Sequence, residues 1–132
     1  MRHPDWQTRL ASYLAEVREL PFSYGFHDCA LFVAGAVKAM TGDDPARGWR
    51  GYRSHAAGIR KLRAAGYEDH VARAASLFAE VPVVDAMPGD IAVVATETGP
   101  ALGIVQGRLI YLVTPEGLGL RPRGDAQRVF RP

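Results

Sequence analysis

Cysteine is nearly absent from this chain of 132 residues: Cys29 stands alone. An internal disulfide is therefore excluded, and so is a cysteine-rich zinc site. Lysine is almost as scarce, with Lys38 and Lys61 the only two, so arginine carries nearly all the positive charge. Neither sign is in surplus: 16 basic side chains face 14 acidic ones, a formal net charge of +2. That balance gives no argument for a nucleic-acid partner. Long apolar runs are missing too, none reaching the length that crosses a bilayer. The opening MRHPDWQTRL has no apolar signal region. We therefore expect a protein made in the cytosol without a secretion signal of its own, with no membrane span and no nucleic-acid partner.

What is present describes an ordinary folded domain. A 48% hydrophobic and 23% charged composition suits a single domain that buries a core without disulfide or metal. Trp6, Leu10, Tyr13, Leu14, Val17 and Leu20 recur at helical spacing, with Asp5 as N-cap and Pro21 as a stop. After a loop, Phe22 to Phe26, a second helix opens at Asp28 or Cys29 and closes near Thr41, where Gly42 offers a left-handed cap. Asp43 to Ser54 reads as a turn-rich surface loop. Ser54 caps a third helix that turns Ile59 and Leu62 inward and ends at Gly66. VARAASLFAEVP reads as a loop or one to two helical turns, followed by a strand edge around Val81 to Val84.

From Met87 onward the pattern is that of strands, with short β-branched and apolar runs punctuated by Gly and Pro. MPGDIAVVAT and ALGIVQG flank a loop at Glu97 to Pro100, and Gly107 turns the chain into RLIYLVT. GLGLRP and AQRVFRP add a fourth and a fifth strand. Helices first and an antiparallel sheet afterwards predict an α+β domain. The organisation is an N-terminal helix (1–20), a cysteine loop and helix (22–42), an insert with a helix (43–86) and a sheet (87–132).

Cys29 carries the functional question. In the first turn of a helix, unpaired backbone N–H groups and the helix dipole stabilise a thiolate. Asp28 opposes this, because a neighbouring carboxylate disfavours a second negative charge. The same Asp is also a preferred N-cap. On these grounds alone, an inert thiol packed as a small hydrophobe is the simpler reading.

The order of the motifs adds a resemblance. Tyr24-Gly25, Asp28-Cys29, Phe32, Gly89-Asp90-Ile91, Leu102-Gly103-Ile104 and Gly107 resemble the NlpC-type cell-wall peptidases, compact members of the papain-like cysteine peptidase superfamily. The likeness covers about Leu20 to Val113, with a long insert between helix and sheet. It implies a papain-like domain with N-terminal helices packed on a C-terminal antiparallel sheet. Cys29 would be the nucleophile and Tyr24 part of the oxyanion pocket, without a cofactor. The strand position that should supply the base histidine holds Ala101, and the orienting position on the next strand matches Tyr111. Alanine accepts no proton, so the usual thiolate–imidazolium pair is not formed there. Gly42, Asp44, Arg47-Gly48 (or Arg50-Gly51), Tyr52, Ser54, Gly58, Leu62 and Gly66 extend the resemblance to a divergent branch found in tailed bacteriophages and prophages, often among tail-tip genes. There the missing histidine looks like a property of the branch.

Among the other histidines, His27 is the least improbable replacement base, two residues from Cys29. His3 lies near the terminus, and His55 and His70 read as surface or capping residues. Should a groove exist, Gly89-Asp90 and the Glu97 to Pro100 loop are expected to form its opposite wall, with Asp90 as a turn or cap residue. His27, Asp28 and Cys29 are adjacent and so cannot all face one metal. The segment from Arg47 to Arg73 holds seven basic residues and two acidic ones, interleaved with Trp49 and Tyr52. It reads as a solvated helix face more readily than as a polyanion site.

Two functions follow. One is a tail-tip protein on a cysteine-peptidase-like fold, structural or docking in role, with other tail-tip or hub proteins as partners and the virion tail as its location. The other is an active cysteine peptidase or amidase cutting peptide bonds in peptidoglycan, with Cys29, Tyr24 and an unconventional base such as His27.

Overall fold

The computed structural model describes all residues from 1 to 132. Four helices precede most of the sheet: α1 (Trp6–Val17), α2 (Cys29–Thr41), α3 (His55–Ala64) and α4 (His70–Leu77). The strands are β1 (Ala79–Val81), β2 (Ile91–Thr96), β3 (Gly99–Gln106), β4 (Leu109–Thr114), β5 (Gly117–Pro122) and β6 (Arg128–Arg131). They form one sheet in the order β1-β6-β2-β3-β4-β5, antiparallel at every pairing. The α+β expectation therefore stands, with helices preceding an antiparallel sheet. No helix is long and apolar enough to cross a membrane.

Local sequence explains most boundaries. The Asp28 side chain accepts a hydrogen bond from the Leu31 N–H at the start of α2, and Gly42 closes that helix at φ 85°, a conformation glycine adopts without a Cβ penalty. Ser54 caps α3 through the Ala57 N–H, and Asp69 caps α4 through the Ala72 N–H. Asp5 does not cap α1; its carboxylate is taken by Arg9, 2.8 Å away. α1 ends at Val17, short of Pro21. The ambiguous VARAASLFAEVP segment resolves into most of α4, then β1, whose edge lies at Ala79–Val81 while Val83–Asp85 forms a 3-10 turn. Asp69 supplies the helix start that the apolar pattern did not reveal.

Alternation along the strands builds two apolar layers, as the two-residue period of a strand requires. Ile91, Val93, Leu102, Ile104, Val113 and Phe130 pack with Leu10, Leu14, Phe32, Val33 and Val37 of α1 and α2. Their neighbours Ala92, Val94, Ala101, Val105, Ile110, Leu112 and Val129 form a second cluster, against which Cys29 also packs. β3 and β4 approach closely at Gly103, where a Cβ would lie 2.6 Å from Ile110 Cγ2 and 2.7 Å from the Tyr111 carbonyl oxygen. α1 and α2 approach closely at Gly35, where a Cβ would meet the Tyr13 hydroxyl at 2.2 Å. That hydroxyl donates to the Phe32 carbonyl at 2.8 Å.

Candidate functional site

Three helices begin with a residue capable of chemistry, each directly behind its cap: Asp28-Cys29, Ser54-His55 and Asp69-His70. The fold brings all three starts to one cavity of about 470 Å³, which Tyr24, Tyr52, Ala101 and Leu102 also line. That size is ordinary for a site that encloses a small molecule or a peptide side chain. The Glu97 to Pro100 turn contributes Glu97, Thr98 and Pro100 to the wall, as expected. Gly89 and Asp90 do not line it. Asp90 is instead completely buried and held between Arg2 and Arg131, at 3.0 and 2.8 Å.

Asp28 organises the floor. One carboxylate oxygen accepts the Leu31 N–H at 3.0 Å, and the other accepts the Gly25 N–H at 3.1 Å. The second oxygen also accepts a short hydrogen bond from the Tyr52 hydroxyl. Burial and the Asp28 charge both push the Tyr52 phenol upward, so it remains the donor. The Asp43 to Ser54 segment is thus more than a surface loop. Gly51 donates to the Gly25 carbonyl at 3.0 Å, and Ala46 is buried. Gly25 itself sits at φ 77°, and a Cβ there would fall 1.9 Å from the Tyr52 carbonyl oxygen.

The Cys29 thiol is pushed up to about 11, chiefly by burial and further by Asp28. The N–H groups of Leu102, Ala30 and Cys29 itself pull in the other direction, as a helix start does, but burial wins. At neutral pH the sulfur is therefore a protonated thiol at rest. Those N–H groups favour negative charge at the sulfur once it develops.

The histidines divide by position. His27 is buried, edge-on to Phe32 at 6.3 Å, and lies outside the lining of the cavity. His55 and His70 line it. His55 lies 6.3 Å from the Tyr24 ring. Tyr24 is 37% exposed and rests edge-on against Phe22 at 4.8 Å. His70 Nε2 lies 2.9 Å from the Pro100 carbonyl oxygen. A carbonyl only accepts, so Nε2 carries the proton and Nδ1 keeps the lone pair. Burial lowers the His70 pKa, against smaller opposing effects of that carbonyl and of Asp69, which favours the neutral ring. Pro100 precedes Ala101, so this imidazole is anchored one residue from the strand position at which the resemblance looks for a histidine. Tyr111, the match for the orienting residue, packs beside the apolar layer under the helices.

Sequence reasoning passed over His55, His70 and Tyr52 as site residues. The signal that marks the two histidines is the cap-then-chemistry pair repeated at three helix starts. No group of three or more His, Cys, Asp or Glu side chains is arranged to hold a metal ion.

A family model described as a domain of unknown function, DUF6950, matches residues 1–132, and the chain belongs to that family. No curated protein matches the chain.

Proposed function

We propose that this member of the family is a divergent papain-like domain of the NlpC type, from the phage-tail branch, and that it hydrolyses amide bonds in peptidoglycan peptides with Cys29 as nucleophile. The observation that carries the reading is the shared cavity: a cysteine at a helix start, two histidines and Tyr24 line one concave, largely apolar space. Such convergence of titratable groups in one apolar cleft is the usual mark of a reactive site. Cys29 attacks the scissile carbonyl. Tyr24, which lines the same cavity, is the side chain that would stabilise the oxygen on which charge develops. The resting thiol is neutral, so the proton leaves as attack proceeds and no ion pair forms beforehand.

The test is digestion of purified peptidoglycan followed by assay of newly freed amino groups. The wild type is expected to release them, and Cys29→Ala to lose at least a hundredfold in rate while keeping its melting temperature within a few degrees. Equal release by both proteins would overturn the reading.

A second reading is a structural or docking component of the tail tip, its partners other tail-tip or hub proteins. Two observations favour it: Ala101 at the strand position of the base, and a thiol held protonated by burial. It requires that Cys29→Ala leave particle assembly and infection unchanged.

A further inference from the structure

The geometry points to His70 as the general base for Cys29, supplied by the start of α4 in place of the histidine that β3 lacks. This assignment rests on the hydrolytic reading above and names its missing proton acceptor.

The position of His70 and its hydrogen bonding support it. His70 and Cys29 line the same cavity, each as the first residue of its helix. The Pro100 carbonyl accepts from Nε2 at 2.9 Å. That bond fixes one tautomer and leaves Nδ1 as the accepting nitrogen, the part that a third group plays for a base in a nucleophile–base–orienter arrangement. Nδ1 makes no hydrogen bond within the chain, so its lone pair is free. The anchoring carbonyl directly precedes Ala101, which lines the same cavity. His70 also borders an outer cleft with His55, Arg60, Glu68 and Asp69. It therefore borders both the cavity and the outer cleft. His27, the sequence candidate, faces Phe32 instead.

The chemistry balances with water as the only co-reactant. The Cys29 S–H proton passes to His70 Nδ1 as the sulfur lone pair bonds the carbonyl carbon and the C=O π pair moves to oxygen. When the tetrahedral adduct collapses, the C–N bond breaks and the departing amine takes the proton from Nδ1. Water then adds to the thioester, giving a proton to Nδ1. The C–S bond breaks, and the sulfur recovers that proton.

The charges that act on His70 are Asp69 on its own element, His55 at the start of α3 and Asp28 before α2, and Arg60 and Glu68 share its outer cleft. The test is the rate of Cys29 alkylation by iodoacetamide from pH 5 to 9 in the wild type, His70→Gln and His70→Ala. Glutamine keeps an N–H donor for Pro100 but offers no base. The wild-type rate is expected to rise with an inflection at or below about 6.5, the ordinary imidazole value. His70→Gln is expected to lose that limb and to react at least tenfold more slowly at pH 7. Added imidazole should restore at least part of the His70→Ala rate. Coincident wild-type and His70→Gln profiles would overturn the assignment, whatever Cys29→Ala does to hydrolysis. Conversely, distinct profiles with no amide hydrolysis by the wild type would keep the Cys29–His70 pair and reject the hydrolytic reading. If His70→Gln unfolds, judged by its melting transition, imidazole rescue of His70→Ala decides alone.

Discussion

Asp28 shows how one side chain shapes this site. It caps α2, holds the turn at Gly25 and receives the Tyr52 hydroxyl, so the loop before the cysteine and the insert after the helix share a single buried carboxylate. Tyr52→Phe removes one donor from a charged acceptor. It is expected to cost about 1.5–3 kcal/mol, the usual worth of such a bond, as a lower urea midpoint with an unchanged m-value. Gly25→Ala should cost more, because φ 77° and the Tyr52 carbonyl at 1.9 Å leave a methyl group neither conformation nor space. An alanine variant as stable as the wild type would show that the Tyr52 segment does not pack there. At neutral pH Cys29 rests as a thiol because the burial that raises it outweighs the three N–H groups that lower it.

Among the elements, the sheet is tied to the start of the chain through Asp90. Its carboxylate accepts from Arg2, Arg131 and the Met87 N–H, while Arg2 also donates to the Pro132 carbonyl at 3.2 Å. Arg2 and Arg131 keep 15% and 35% of their side-chain surface exposed, so their charges stay partly hydrated once Asp90 is gone. Asp90→Ala is therefore expected to cost about 1–3 kcal/mol, measured by equilibrium unfolding. A cost below about 1 kcal/mol would mean that both arginines find water without penalty. The helices and strands were largely legible because capping and alternation are local: Asp28, Ser54, Gly42 and Gly107 mark their boundaries in the sequence itself. α4 was legible only as one of two alternatives, since its eight residues are too few for a clear apolar period and Asp69 alone announces it. The candidate site was legible in part. Cys29 and Tyr24 could be read from motif order, whereas His55 and His70 reach the cavity only through tertiary packing. Sequence proximity favoured His27, but the turn closed by the Ser23–His27 bridge accompanies a ring packed on Phe32.

For the molecule as a whole, two histidines couple folding to acidity. Burial lowers the pKa of both His27 and His70, against a smaller upward pull from Asp28 on each. Each stays neutral in the folded chain at pH values where the unfolded chain has begun to protonate it, near about 6.5. The unfolded state thus binds more protons, and stability rises with pH across that window. It is fully present above about 7 and is lost progressively as pH falls through about 6.5 toward the lowered folded values. The melting temperature is expected to decline between pH 7.5 and 5, and the double variant His27→Gln/His70→Gln should flatten that decline; an undiminished slope in the variant would contradict it. If Cys29 is the nucleophile, an acyl-enzyme forms on its sulfur, and trapping that species is the decisive measurement. Wild-type protein is incubated with soluble peptidoglycan peptides, quenched in acid and weighed intact by mass spectrometry. An added peptide acyl mass is expected that maps to Cys29, is released by hydroxylamine and is absent from Cys29→Ala. Peptide cleavage that proceeds without any adduct and survives Cys29→Ala would contradict a nucleophilic Cys29, as would a wild type that neither cleaves nor becomes acylated.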